Sequence, residues 1–207
     1  MKLYHFPMSP NARKVVAVLH YLNLECELVV VDLSKGEQMQ KCFLDLNPNH
    51  MIPTLVDGDF VLWESNAIMP YLCSKVTNTG LWPNDSRVQA DINRWLFWQA
   101  SHFGSACGIM IFEHVIKKFF MQAEADLQEV AKGEERFNRF AQVLEQHLNG
   151  REWLVGSDVT LADFAVGSLL DLAEIAQYPM RPYTEIPRWY NNVCQLPAWK
   201  NSAPPPM

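Results

Sequence analysis

Residues 2–15 read KLYHFPMSPNARKV. Lys2 to Phe6 is a short apolar run of strand character. Ser9-Pro10 then turns the chain. From Pro10 the apolar residues Ala12, Val15, Val16, Leu19 and Leu22 fall on one helical face. Pro10 suits the first turn of that helix, because its missing N–H would have no partner there. The stretch reads as strand, tight turn, helix, with the Ser9 hydroxyl at the helix N-terminus. Partial positive charge at that end favours an anion, and a hydroxyl beside it can donate to one.

Reading outward, Leu28 to Val31 is a continuous apolar, β-branched run and is expected as a buried strand. Gln38 to Leu46 has helical character and stops at Asn47-Pro48. Thr54–Val56 and Phe60–Leu62 flank Asp57-Gly58, a hairpin signal. Ser65 opens a helix to about Ser74. The order β-α-β-α-β-β-α implies a mixed sheet with helices on it. Residues 76–85, VTNTGLWPND, carry turn formers without periodicity and read as a linker. Beyond them the pattern is helical throughout. One long helix is expected from Ser86 to about Ile116, with Trp95, Trp98, His102 and Phe103 at spacings of three and four. A second runs from about Gln122 to Leu148. A third opens at Thr160-Leu-Ala-Asp163, a capping box. The fold class expected is α/β plus all-α, with domains at 1–76 and 86–207. The Pro-rich stretch SAPPP, residues 202–206, is expected to be loosely held.

Composition narrows the function. The net charge is −6 and the Lys and Arg residues are scattered, which gives no support to a nucleic-acid or anionic-membrane partner. No apolar run is long enough to span a bilayer. Prolines interrupt the N-terminus too early for a signal peptide. The expectation is a soluble, cytoplasmic protein. The five cysteines form no C-x-x-C pair, so reduced thiols are expected. The histidines show no metal-ligand spacing, and no metal is expected.

Three segments of the first half carry chemistry. Ser9-Pro10-Asn11 offers a hydroxyl and a helix end to an anion such as a thiolate. Met51-Ile52-Pro53-Thr54 places a proline before a strand. A cis bond at Pro53 would leave the Ile52 N–H and C=O able to pair with a peptide-like ligand as an added strand does. Trp63-Glu64-Ser65-Asn66 places a hydroxyl and N–H at another helix start for a carboxylate, with Glu64 for a neighbouring ammonium. Taken singly, Ser9 and Ser65 read as helix caps and Pro53 as a strand starter. Taken together they describe pockets for a carboxylate, an ammonium, a peptide backbone and a thiolate, the groups of glutathione.

The motifs SPNARKV, NPNHMIPTLVDGDFVLWESNAI and TLADF, in that order and separation, resemble the cytosolic glutathione transferase family over both halves of the chain. The serine-type, theta- and phi-like branches fit better than the tyrosine-type ones. The resemblance implies a thioredoxin-like N-terminal domain, an all-helical C-terminal domain, a homodimer and glutathione as co-substrate. In thioredoxin-type folds the Ser9 turn holds a redox cysteine pair. Here Ser9 and Ala12 stand there, and the thiol is the ligand's. By carry-over, Ser9 stabilises the thiolate, Ile52 and Pro53 hold the cysteinyl part, Glu64 and Ser65 hold the γ-glutamyl end, and Gln38 faces the glycyl carboxylate. Met51 departs from the family's Lys or Gln, and His50 is the candidate for that missing contact. Tyr4, on the first strand, is the competing hydroxyl donor.

The electrophile pocket is expected between the domains, walled by Met8, Trp98, His102, Phe103, Cys107 and Met110. Core packing is the competing reading for the aromatic residues. The function expected is conjugation of glutathione to small hydrophobic electrophiles in detoxification. The rivals are peroxide or disulfide reduction or dehalogenation at the same site, and a non-catalytic binding protein.

Overall fold

The computed structural model describes residues 1–204. Two compact units divide the chain, Met1–Pro83 with the segment from Gln195 onward, and Asn84–Cys194. The C-terminal segment thus departs from the 86–207 domain expected from sequence. It packs with the first unit.

In the first unit, β1 (Lys2–His5) is followed by α1 (Pro10–Tyr21), β2 (Glu27–Val30), and α2 (Lys41–Leu44) after two short 3-10 turns. Then come β3 (Thr54–Asp57), β4 (Phe60–Trp63) and α3 (Ser65–Cys73). The sheet order is β2-β1-β3-β4. β1 pairs parallel with β2, which requires a crossover, and α1 supplies it. β1–β3 and β3–β4 are antiparallel. Asp57 pairs with Phe60, so the hairpin turns through Gly58-Asp59, with Gly58 at φ +64°. Leu3 and its cross-strand partner Leu55 are fully buried, as are Val15, Val18, Ile68 and Met69 of α1 and α3.

β2 is an edge strand rather than a buried one. Leu28 and Val30 are 43% and 54% exposed, on a strand with a neighbour on one side only among the described residues. The helix expected over 38–46 shrinks to Lys41–Leu44, with Glu37–Met39 in a 3-10 turn.

The second unit begins with α4 (Ser86–Trp98), capped by the Asp85 side chain on the Arg87 and Val88 N–H groups. The helical run continues through a π-helical turn (Gln99–Phe103), α5 (Gly104–Ile111) and a second π-helical stretch (Phe112–Met121). Gly104 permits the first π turn. Its N–H bonds to the Gln99 carbonyl, and any Cβ there would lie 2.5 Å from that oxygen. α6 spans Leu127–Leu148, starting at the Asp126 cap rather than at Gln122. α7 (Leu161–Gly167) opens with the capping box, Asp163 accepting from the Thr160 N–H at 2.9 Å and hydroxyl at 3.1 Å. α8 spans Glu185–Gln195.

α9 (Pro197–Asn201) returns to α1. The Arg13 guanidinium lies 4.5 Å from the Trp199 ring and donates to the Trp199 carbonyl and the Ser202 hydroxyl. Ser202, part of the stretch expected to be loose, is therefore buried and bonded. Pro205 and Pro206 lie outside the described residues. No helix among the described residues is long and apolar enough to cross a membrane, and their five cysteines are free.

Candidate active site

Sheet register brings three loops to one end of the first unit. β1 leads into the turn at Ser9, whose N–H donates to the Phe6 carbonyl at 2.9 Å. Tyr4 lies opposite Thr54, so Ile52-Pro53 flanks the residues that follow β1. Thr54 lies opposite Trp63, so Glu64 and Ser65 emerge at that same end. Ser9, Ile52, Pro53, Glu64 and Ser65 converge there because β3 is antiparallel to both of its neighbours.

Ser9 is the N-cap of α1. Its Oγ accepts from the Ala12 N–H at 3.4 Å, a long bond. The hydroxyl proton has no acceptor among the described residues, and neither has the Asn11 N–H. Ser9 therefore fills its structural role as a cap while keeping a donor in reserve. Tyr4 is turned elsewhere. Its ring packs 6.1 Å from Phe43 of α2, in a hollow of about 250 Å³ shared with Val29, Gln40 and Cys42.

The Ile52–Pro53 bond is cis. The Ile52 N–H and C=O make no hydrogen bond among the described residues, so one stretch of extended backbone is open to pairing. Asn47, 1% exposed, holds this loop. Its side-chain amide donates to the Met51 carbonyl at 2.7 Å and to Thr54 Oγ1 at 3.1 Å. Its Oδ1 accepts from the N–H and the side-chain amide of Asn49. His50 takes φ +59°. Its Nδ1 and the Gln38 Oε1 are buried without a hydrogen-bond partner among the described residues. Such orphaned atoms are uncommon in folded proteins and mark places where a ligand or water group fits. Met51 is 67% exposed.

Glu64 sits at φ +70°, a conformation costing about 1–3 kcal/mol for a residue with a Cβ. It occupies the cap position of α3, where no side chain bonds the helix end. Ser65, read from sequence as a possible cap, is instead the first helical residue, 7% exposed. The Ala67 and Ile68 N–H groups return to the Glu64 carbonyl. The Ser65 N–H makes no hydrogen bond among the described residues, so the positive end of α3 is open to an anion. Behind it lies Lys14, with no exposed surface, whose ammonium donates to Asn66 Oδ1 at 2.7 Å.

Several residues assigned to the electrophile pocket are corrected. Phe103, Cys107 and Met110 are fully buried inside the second unit. Phe103 stacks on Trp98 and meets Phe137 of α6. Met110 lies against Gly133 of α6, where an added Cβ would come within 2.9 Å. Burial pushes the Cys107 thiol up to about 12. These side chains are core, because α6 closes over that face of α5. Trp98, half-buried, and His102, exposed and stacked on Phe140, reach the surface of their unit. Met8 is half-buried in the turn before Ser9.

The residues that sequence reasoning missed are Asn47 and Lys14. Asn47-Pro48 signals a helix stop and nothing more. Lys14 falls off the apolar stripe of α1, and its burial follows from α3 and α9 packing on the same helix.

Residues 1–74 match the model of the glutathione S-transferase N-terminal domain, and residues 106–197 that of the C-terminal domain. Glutathione S-transferase 3 of Zea mays is 35% identical over 219 aligned residues, covering 100% of this chain and 96% of the relative. Glutathione S-transferase D6 of Drosophila melanogaster is 28% identical over 201 residues, covering 96% and 90%. The crystal structure of glutathione transferase F2 from Populus trichocarpa superposes with a TM-score of 0.88 at 25% identity, covering 97% of this chain and 96% of that one. With a thioredoxin-like first unit, a helical second unit and matches over most of its length, the chain belongs to the glutathione S-transferase family.

Proposed function

We propose that this glutathione transferase is of the serine type, and that Ser9 holds the glutathione thiolate for attack on small hydrophobic electrophiles. The observation that carries the reading is the uncommitted Ser9 hydroxyl proton, beside the open Ile52 backbone and the open N-terminus of α3. Ile52 pairs with the cysteinyl backbone of glutathione. Ser65 receives the γ-glutamyl carboxylate and Glu64 its ammonium. Gln38 and His50, each with an orphaned buried atom, serve the glycyl end in place of the charge that Met51 lacks.

A free thiol has a pKa of about 8.5, and lowering it by roughly two units requires about 2.7 kcal/mol of preferential thiolate stabilisation. A charge-assisted hydrogen bond from Ser9 contributes about 1.5–3 kcal/mol, and the α1 N-terminus about 0.3–1 kcal/mol. The two together are of the required size. The sulfur then forms a bond to the electrophilic carbon. A leaving group departs with the electron pair of its bond, or an adduct takes a proton from water.

A cytoplasmic homodimer serving in detoxification completes the proposal. Phe60 of β4 and Phe97 of α4, 45% and 70% exposed, are apolar side chains that a second copy would cover.

The test is retention on glutathione-agarose followed by conjugation assays, with the thiolate absorbance of bound glutathione titrated in wild type, Ser9→Ala and Tyr4→Phe. Ser9→Ala should raise the bound thiol's pKa and lower activity at neutral pH by roughly ten- to a hundredfold. A shift in Tyr4→Phe with none in Ser9→Ala would give the role to the tyrosine. Retention without turnover on any electrophile would make the chain a binding protein.

A further inference from the structure

After α7 the chain tightens into a 3-10 turn, Ser168–Leu172, and passes through close turns to α8. The Ala176 N–H donates to the Leu172 carbonyl at 2.8 Å, and the Tyr178 N–H to the Ala173 carbonyl at 2.9 Å. Between them Gln177 takes φ +55°, the left-handed conformation of a tight turn. Leu170, Ala173 and Glu174 are spaced as one side of helical turns, and so are Pro187 and Tyr190 of α8. With Tyr178 from the turn between them, these residues line a cavity of about 350 Å³. Small-molecule sites run from about 300 to 1,000 Å³. The small side chain of Ala173 helps to leave the space. Pro187 stands in the first turn of α8, where its missing N–H costs no helical hydrogen bond.

The lining is apolar and aromatic, with a single charge. That charge is the Glu174 carboxylate, which is exposed and has no ion pair among the described residues. A second carboxylate adjoins the wall, because the Tyr190 hydroxyl donates to Asp171 Oδ1. The Tyr178 hydroxyl is buried beside the Cys107 thiol, and its ring meets Phe137 at 4.9 Å. Both hydroxyls are thus directed to protein groups, and the rings are left as wall. Aromatic faces are electron-rich and favour a cation over an anion. No cationic side chain lines the cavity. Arg188 donates to Glu185 and to the Leu148 and Arg151 carbonyls, and Arg181 is exposed outside the lining.

We propose that this cavity is a second ligand site and that it takes a small organic ammonium ion with an apolar body. The apolar part fills the space beside Leu170, Ala173 and Pro187. The cationic centre lies against the tyrosine rings and is drawn by Glu174. An anion would meet carboxylates and no compensating charge. The site lies wholly within the second unit, whereas the groups proposed for glutathione belong to the first.

The probe is benzyltrimethylammonium, followed by calorimetry on the full chain. Its neutral control is neopentylbenzene, in which carbon replaces the nitrogen, and its anionic control is benzylsulfonate. The cation should bind about tenfold tighter than the neutral molecule, and the anion should not bind. Glu174→Gln should weaken the cation about threefold to fivefold, as the loss of an exposed charge pair does, and leave the neutral molecule unchanged. Added salt should weaken the cation in the wild type and not in Glu174→Gln. Ala173→Leu fills the cavity and should abolish binding. Saturation with S-methylglutathione should leave the cation's affinity unchanged. If Ala173→Leu does not fold, the comparison of wild type with Glu174→Gln decides alone. No binding at millimolar cation, equal or tighter binding of either control, or unchanged affinity in Glu174→Gln overturns the proposal. So does undiminished binding to a folded Ala173→Leu chain, or competition with S-methylglutathione, since either places the cation elsewhere.

Discussion

The Trp189 indole N–H donates to the Asp163 carboxylate at 2.9 Å, and both residues are completely buried. The same carboxylate accepts from the Leu154 N–H at 2.9 Å and from the Thr160 N–H and hydroxyl. One anion thereby joins the start of α7, the loop before it and α8. Asp163→Ala strands all of these donors and should cost at least about 3 kcal/mol. Trp189→Phe strands no donor, leaves the carboxylate its other partners, and should cost about 1.5–3 kcal/mol. Urea denaturation of both variants measures the difference. An Asp163→Ala chain as stable as wild type would refute the assignment.

Asn47 holds the loop that the proposed function gives to glutathione. Asn47→Ala removes the amide bonded to the Met51 carbonyl and to Thr54, releasing the loop that presents Ile52. Stability should fall by about 1–3 kcal/mol. KM for glutathione should rise about tenfold or more, with a smaller change in kcat, because the proposed function has Ile52 pair with the peptide backbone of glutathione and not with the reacting sulfur. A KM unchanged by the substitution would separate the loop from the site.

Glu64 combines a strained backbone with the proposed role of holding the ligand's ammonium. At φ +70° a glycine is relaxed where glutamate is strained. Glu64→Gly should therefore fold as stably as wild type, or more stably by up to about 1 kcal/mol, while losing most of its affinity for glutathione. Thermal unfolding and calorimetry on the same sample read the two effects. A parallel loss of both would show that the conformation carries no strain.

Lys14 makes stability depend on pH. In the folded chain it binds its proton less tightly, at about 7 against 10.5 for an ordinary lysine. The unfolded state therefore holds more protons between those values, and stability rises with pH across that window. Lys14→Met should lack this rise and be more stable than wild type at neutral pH by about 1–4 kcal/mol. Unfolding free energies of the two proteins at pH 6.5, 8 and 9.5 isolate the contribution. A constant difference would mean that Lys14 keeps an ordinary proton affinity.

Much of the molecule was legible locally. The helix from Pro10, the Asp57-Gly58 hairpin and the Thr160–Asp163 box each depend on neighbours within a few residues. So do the chemical offers of Ser9, Ile52-Pro53 and Glu64-Ser65, which sit at turns and helix starts that local residue types specify. The order of these pieces carried the family resemblance as well. Burial was a different matter. Leu28 and Val30 look like a buried strand, but the sheet order leaves β2 at its edge. Phe103, Cys107 and Met110 share a helical stripe with Trp98, and only the closure of α6 makes three of the four core. The tail from Gln195 reads as part of the helical half and instead locks onto Arg13. Nothing local to Asn47 or Lys14 announces that its side chain is buried. Periodicity and turn chemistry act over a few residues and are written in the chain, whereas solvent exclusion depends on which distant segment covers a face, and that only the tertiary structure decides.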